Sequence, residues 1–150
     1  MRPAKSRREI VKPPAVQPGN WHGEILGGVT VNFGQVVQHN PGRQSVEFSY
    51  LVISAIFTPP EKQFTWPGVV LIFAPTPMKS VHPDAGRLLS AKRLLSLSLS
   101  LVVTRDQYSD LFGMFETSRV RDLHFTIEEG ADGSWPVQSW GMSAELQRPK

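Results

Sequence analysis

Four histidines supply most of the acid–base chemistry open to this chain: His22, His39, His82 and His124. Imidazole is the side chain whose ordinary pKa lies near neutrality, so it is the first place to look for proton transfer or metal binding. His22 with Glu24, and His82 with Asp84, stand two positions apart, and each pair shares a face if its segment is a strand. No two histidines have the spacing of a chelating pair, and the chain has no cysteine. That removes disulfides, thiolate nucleophiles and zinc ribbons together, so neither a metal nor a cofactor is expected. Glycine-rich phosphate loops and the strained serine elbow of hydrolases are also missing from the sequence.

His82-Pro83-Asp84 falls in a stretch, 75–86, with three prolines and a glycine. Long loops of that kind often carry function. Ser80, or a serine of the 96–100 row, could join His82 and Asp84 as a hydrolytic triad, but only if the fold brings them together. The plainer alternative for His82 is a surface loop residue. The balance is against an enzyme.

Trp21, Trp66, Trp135 and Trp140 carry more information. Indole offers a large apolar face and one N–H donor, which suits sugar stacking and protein interfaces alike. It is also usually mostly buried, so core packing is the competing expectation for each. Base stacking is disfavoured, because the strand-like segments hold few lysines or arginines beside their aromatics.

Positive charge is concentrated at the start. Within residues 1–19, Arg2, Lys5, Arg7, Arg8 and Lys12 face Glu9 alone, while the rest of the 150-residue chain is close to neutral. With Pro3, Pro13, Pro14 and Pro18 and one aliphatic pair, this segment buries too little apolar surface to offset its ordering entropy. It reads as a flexible basic tail, an arm for nucleic acid or another acidic surface, or simply a solvated leader. It lacks the apolar run of a secretory signal, and no stretch reaches the ~18 apolar residues of a helical membrane span. A cytoplasmic location is the resulting expectation.

The elements that must position these groups are mostly strands. Residues 28–38 alternate, with Val29, Val31, Phe33 and Val37 on one face. Asn40-Pro41-Gly42-Arg43 has the residues of a tight turn. Residues 45–58 follow, with Val46, Phe48, Tyr50 and Val52 on one face, which pairs Val37 with Val46, Phe33 with Tyr50 and Val31 with Val52. Residues 51–57 and 68–74 are apolar on both faces. Residues 94–103 place Leu95, Leu97, Leu99, Leu101 and Val103 opposite Ser96, Ser98 and Ser100, and a strand from about Ala91, or a helical turn over 86–92, precedes them. Thr104 and Gln107 have the spacing of a capping box, and Tyr108, Leu111, Phe112 and Phe115 form one helical stripe. A last hairpin uses Leu123, Phe125 and Ile127, a Gly130-to-Gly133 turn, and Trp140, Met142, Ala144 and Leu146.

The fold expected is mainly β, an antiparallel sandwich or partly open barrel, with one α-helix near 104–118, in a single domain of residues 20–150 after the tail. With 25 glycines and prolines and few charges, composition agrees with a turn-rich β protein. The function expected is binding or assembly through protein–protein contact, as a homo-oligomer or with a protein partner. Its interface would take part of the 51–57 or 68–74 surface, with Trp66 at the border. A carbohydrate-binding module using exposed tryptophans is the second reading, and an enzyme built on the 75–86 loop is the third. The residues expected to touch a ligand or partner are Trp21, Trp66, Trp135, Trp140 and His82; Arg2, Lys5, Arg7, Arg8 and Lys12 are those expected to touch an anionic partner.

Overall fold

Alternating apolar and polar side chains produce seven strands, and the Thr104 capping box starts one helix. The computed structural model describes residues 15–39, 42–62, 64–74, 85–90, 95–117 and 119–145. In chain order the elements are β1 (Gly19–Gln38), β2 (Gln44–Thr58), β3 (Trp66–Phe73), β4 (Gly86–Ser90), β5 (Leu97–Val102), α1 (Arg105–Thr117), β6 (Arg119–Ile127) and β7 (Ser134–Glu145). Among the described residues, no helix is long and apolar enough to cross a membrane.

The mainly β expectation with one helix holds, and the sheet is a closed barrel rather than a sandwich. Its strand order is β1-β2-β3-β5-β4-β7-β6, with β6 pairing back onto β1. All neighbours are antiparallel except β3 and β5, which run parallel with Val70 opposite Leu99. The parallel pair arises because β4 inserts between β5 and β7 instead of following β3 as its hairpin partner. Residues 86–90 are therefore strand, ahead of the start expected at Ala91; Leu95 lies before β5 and is exposed, outside the buried row of Leu97, Leu99 and Leu101.

The lumen is filled by side chains, as in other small barrels. Leu51, Ile53, Ala55 and Phe57 enter from β2, Val70 and Ile72 from β3, the leucines from β5, and Leu123, Phe125 and Ile127 from β6. Trp21 stacks on Phe125 at 6.0 Å between ring centroids, and Phe57 meets Phe125 edge-on at 5.7 Å. Burying each such side chain contributes about 1.5–3 kcal/mol. Trp21 Nε1–H, the one polar atom it brings inside, donates to the Gln17 carbonyl at 2.8 Å.

The capping box forms as the spacing requires. Gln107 N–H donates to Thr104 Oγ1 at 3.1 Å, and Thr104 N–H donates to Gln107 Oε1 at 3.0 Å. Leu111 is buried, and Tyr108 and Phe115 pack on the core, whereas Phe112 is exposed despite lying on the predicted stripe.

Candidate functional site

β1 and β2 are much longer than the barrel needs. β6 pairs with β1 only from Gly19 to Glu24, and β3 pairs with β2 only from Tyr50 to Phe57. Past the rung Asn32–Tyr50, β1 and β2 have no other strand partner among the described residues: they continue as a two-stranded arm to Gln38 and Gln44. At about 3.3 Å per residue, the six residues 33–38 carry it roughly 20 Å.

The bend that releases the arm is local. Three residues of β1, Leu26, Gly27 and Gly28, face the single Ser54 of β2 between the rungs Ile25–Ala55 and Val29–Ile53. Gly27 has φ +152°, an angle that side-chain-bearing residues rarely adopt, and Leu26 is 55% exposed. The two extra residues preserve parity, so odd positions of β1 lie on the lumen side both before and after the bulge.

At its root the arm is fastened to two elements. Ala74 N–H donates to the Ser49 carbonyl at 2.9 Å, and the Ser49 and Tyr108 hydroxyls are 2.6 Å apart. α1 therefore sits over the barrel end from which the arm departs. On the outer face, Phe48, Tyr50 and Phe73 form a row, with centroids 6.3 and 5.5 Å apart. The Phe48 ring lies across Gly34, its partner on β1, where a Cβ would come within 2.7 Å of the ring.

Past the barrel, both faces of the arm carry apolar groups in solvent. Val31, Phe33 and Val37 continue the lumen side; Val36 and Phe48 lie on the other. Phe33 is 79% exposed, the most open large apolar side chain among the described residues. From Ile25 to Gln38 the edge of β1 away from β2 has no strand partner among the described residues. Those fourteen residues contain no charge and no proline, the devices that normally keep a bare edge from pairing.

The tryptophans singled out from sequence lie elsewhere. Trp21 and Trp66 are 2% and 3% exposed, inside the barrel; Trp66 also meets Phe64 edge-on at 5.1 Å. Trp135 and Trp140 are half-buried and packed on the core. Trp140 lines a groove of about 180 Å3 between α1 and β7 with Met114 and Met142. No flat indole row stands open among the described residues. His82, with Ser80 and Asp84, and the basic Arg2, Lys5, Arg7, Arg8 and Lys12 lie outside the described residues. The segment just before β1 does touch the body: Val16 packs on the core beside the Gln17 carbonyl that Trp21 uses.

The His22 and Glu24 pair does share a strand face, and β6 adds Asp122 to it. His22 Nε2 is 3.1 Å from Asp122 Oδ1, and both side chains are about half exposed. Where β1 parts from β6, these three with Arg121 border an open hollow of about 570 Å3. No group of three or more metal-ligating side chains forms among the described residues. The arm was the feature that the sequence motifs did not flag. The signal for it was the fourteen-residue stretch without charge or proline, longer than the roughly 3–10 residues of most strands. No family model, curated protein or solved structure matches the chain.

Proposed function

We propose that this protein is a binding and assembly module that docks to another protein chain through the β1–β2 arm and the aromatic face at its root. One observation carries the reading: a two-stranded arm with apolar side chains on both faces leaves a barrel whose own core is already complete. Among the described residues, six of the ten exposed large hydrophobics belong to β1 or β2, and Phe73 adjoins them. Contiguous exposed apolar surface of this kind marks interaction sites in proteins. An isolated two-stranded ribbon is marginal in water by itself, so a partner that covers it also stabilises it. The interface expected over 51–57 and 68–74 shifts toward the arm in this reading. The lumen-facing half of those strands is core, and the outer half, Val52, Ile56, Val69 and Leu71, is partly covered.

The test is a double substitution, Phe33→Ser with Val37→Ser, followed by sedimentation and by hydrogen exchange over a range of concentrations. Exchange of arm amides in the unaltered chain should slow as concentration rises, and the double variant should lose that dependence while its circular dichroism is unchanged. Arm amides as strongly protected as those of the barrel in a chain that stays monomeric would show the arm covered by its own chain and would remove the support for this reading.

A further inference from the structure

Resting on that reading, we infer that the partner is a second copy of this chain, joined by antiparallel pairing of the free β1 edge, residues 25–38, with its own counterpart across a two-fold axis. Among the described residues no strand pairs with this edge, which presents backbone N–H and C=O groups that call for hydrogen-bond partners. A strand that adds to it must itself be extended and bare, and a neutral one suits an edge that offers no counter-charge between residues 25 and 38. β1 meets each of these requirements, and every molecule in solution carries one.

The pattern is also self-complementary. In a register centred on Val31, Val31 stands opposite its own copy, and Phe33 stands opposite Val29 of the second copy. Odd residues meet odd residues, so the apolar lumen-side face runs on across the junction, as register demands of a continuous sheet. The contact is isologous and therefore closes at two subunits. The exposed surface of Leu26, Val31, Phe33, Val36 and Val37 is on the order of 500 Å2 per copy, and edge pairing covers only part of it, which keeps the contact below the ~1,000 Å2 of stable interfaces and makes it one that dissociates on dilution.

Because the native chain has no cysteine, a single introduced thiol reports only on its own copy. Single-cysteine variants at Val29, Val31, Phe33 and Gln35, with Ser45→Cys on the far strand as control, would be oxidised at several concentrations. Sedimentation velocity of the unaltered chain and of Val31→Lys would run alongside. The inference expects a dimer that dissociates on dilution, a disulfide yield highest at Val31→Cys and low at Ser45→Cys, and a monomeric Val31→Lys with an unchanged fold by circular dichroism. Opposed Cα atoms in an antiparallel pair are about 4.5–5.5 Å apart, within the span of a disulfide. A strict monomer whose arm amides exchange fast would overturn the inference and leave the arm to a different chain, whereas a strict monomer whose arm amides are as protected as those of the barrel would take the assembly reading with it. A dimer that persists in Val31→Lys, without cross-links on β1, would overturn the edge pairing and leave the assembly reading standing. Open-ended aggregates with equal yields along the strand would overturn the closed two-fold form.

Discussion

Over residues 19–24, β1 pairs with β6, and from His22 on also with β2; Trp21 and Gly23 are buried, and Asn20, His22 and Glu24 face solvent. Over residues 29–38 the same strand has β2 on one side and nothing described on the other, and from Val31 on its apolar residues stand in water. Both halves alternate with period two, and both keep odd residues on the lumen side. What separates them is the outer face: polar and charged before the bulge, neutral with an exposed Val36 after it. Alternation thus tells which face a side chain takes, whereas the charge on the opposite face tells whether that stretch is built to stay in water.

The strongest way to break this comparison is to remove one large side chain from each half. Trp21→Ala empties the stack on Phe125 and should cost about 3–5 kcal/mol in urea unfolding. Leu99→Ala, across the lumen, should cost about 2–5 kcal/mol. Phe33→Ser, measured at a dilution where the chain is monomeric, should stay within about 0.5 kcal/mol, because it removes no buried contact. A loss of several kcal/mol at Phe33 would mean that the arm folds back on its own barrel.

Much of the strand plan was legible because strands with one buried face must alternate. The hairpin register came out one residue off: Val36, not Val37, lies opposite Val46, and Phe33 lies opposite Ser49 rather than Tyr50. The matched apolar rows suggested the other pairing. The decision is made further along β2, where Leu51, Ile53, Ala55 and Phe57 all have to face the lumen and so pair odd with odd. A local match of valines cannot compete with four core residues. The first nine residues of β1 show no clean alternation, because Gly19, Gly23 and Gly27 interrupt the pattern there. Closure into a barrel and the parallel β3–β5 pair depend on long-range strand order, which no local pattern encodes. The tryptophans marked the core better than a binding surface, since indole burial is the stronger tendency.

Between the two halves, Gly27 and Gly28 separate backbone strain from mere space. A Cβ at either meets nothing within 4 Å, but only Gly27 has a positive φ, +152°. Gly27→Ala should therefore cost about 1–3 kcal/mol, the usual strain of a side chain in a glycine-only conformation. Gly28→Ala should change stability by no more than about 0.5 kcal/mol in the same urea melts. Equal costs at the two positions would show that the bulge tolerates a side chain anywhere, and that the arm's departure is fixed by something other than this angle.

The Ser49–Tyr108 hydroxyl pair sharpens the comparison at the arm's root. Tyr108→Phe keeps the ring on the core and removes one hydrogen bond, worth about 0.5–1.5 kcal/mol. Its local effect is the more telling one: amides of residues 44–49 should exchange faster, while those of residues 51–57 should not change. Uniform acceleration across β2 would mean that the arm opens only together with the barrel.

The smallest effect is expected on the polar face of the barrel half. His22 and Asp122 approach to 3.1 Å, yet each side chain is about half exposed, at 52% and 54%. Water screens such a pair, and holding both side chains in one geometry costs entropy, so exposed pairs contribute about 0–1 kcal/mol. Asp122→Asn should accordingly shift the urea midpoint only slightly, with the shift smaller still at high salt, where screening already removes the attraction. A loss well above about 1 kcal/mol would show that the β1–β6 seam depends on this contact. In that case the charges on residues 19–24 would be holding the barrel closed, rather than merely keeping its outer face in water.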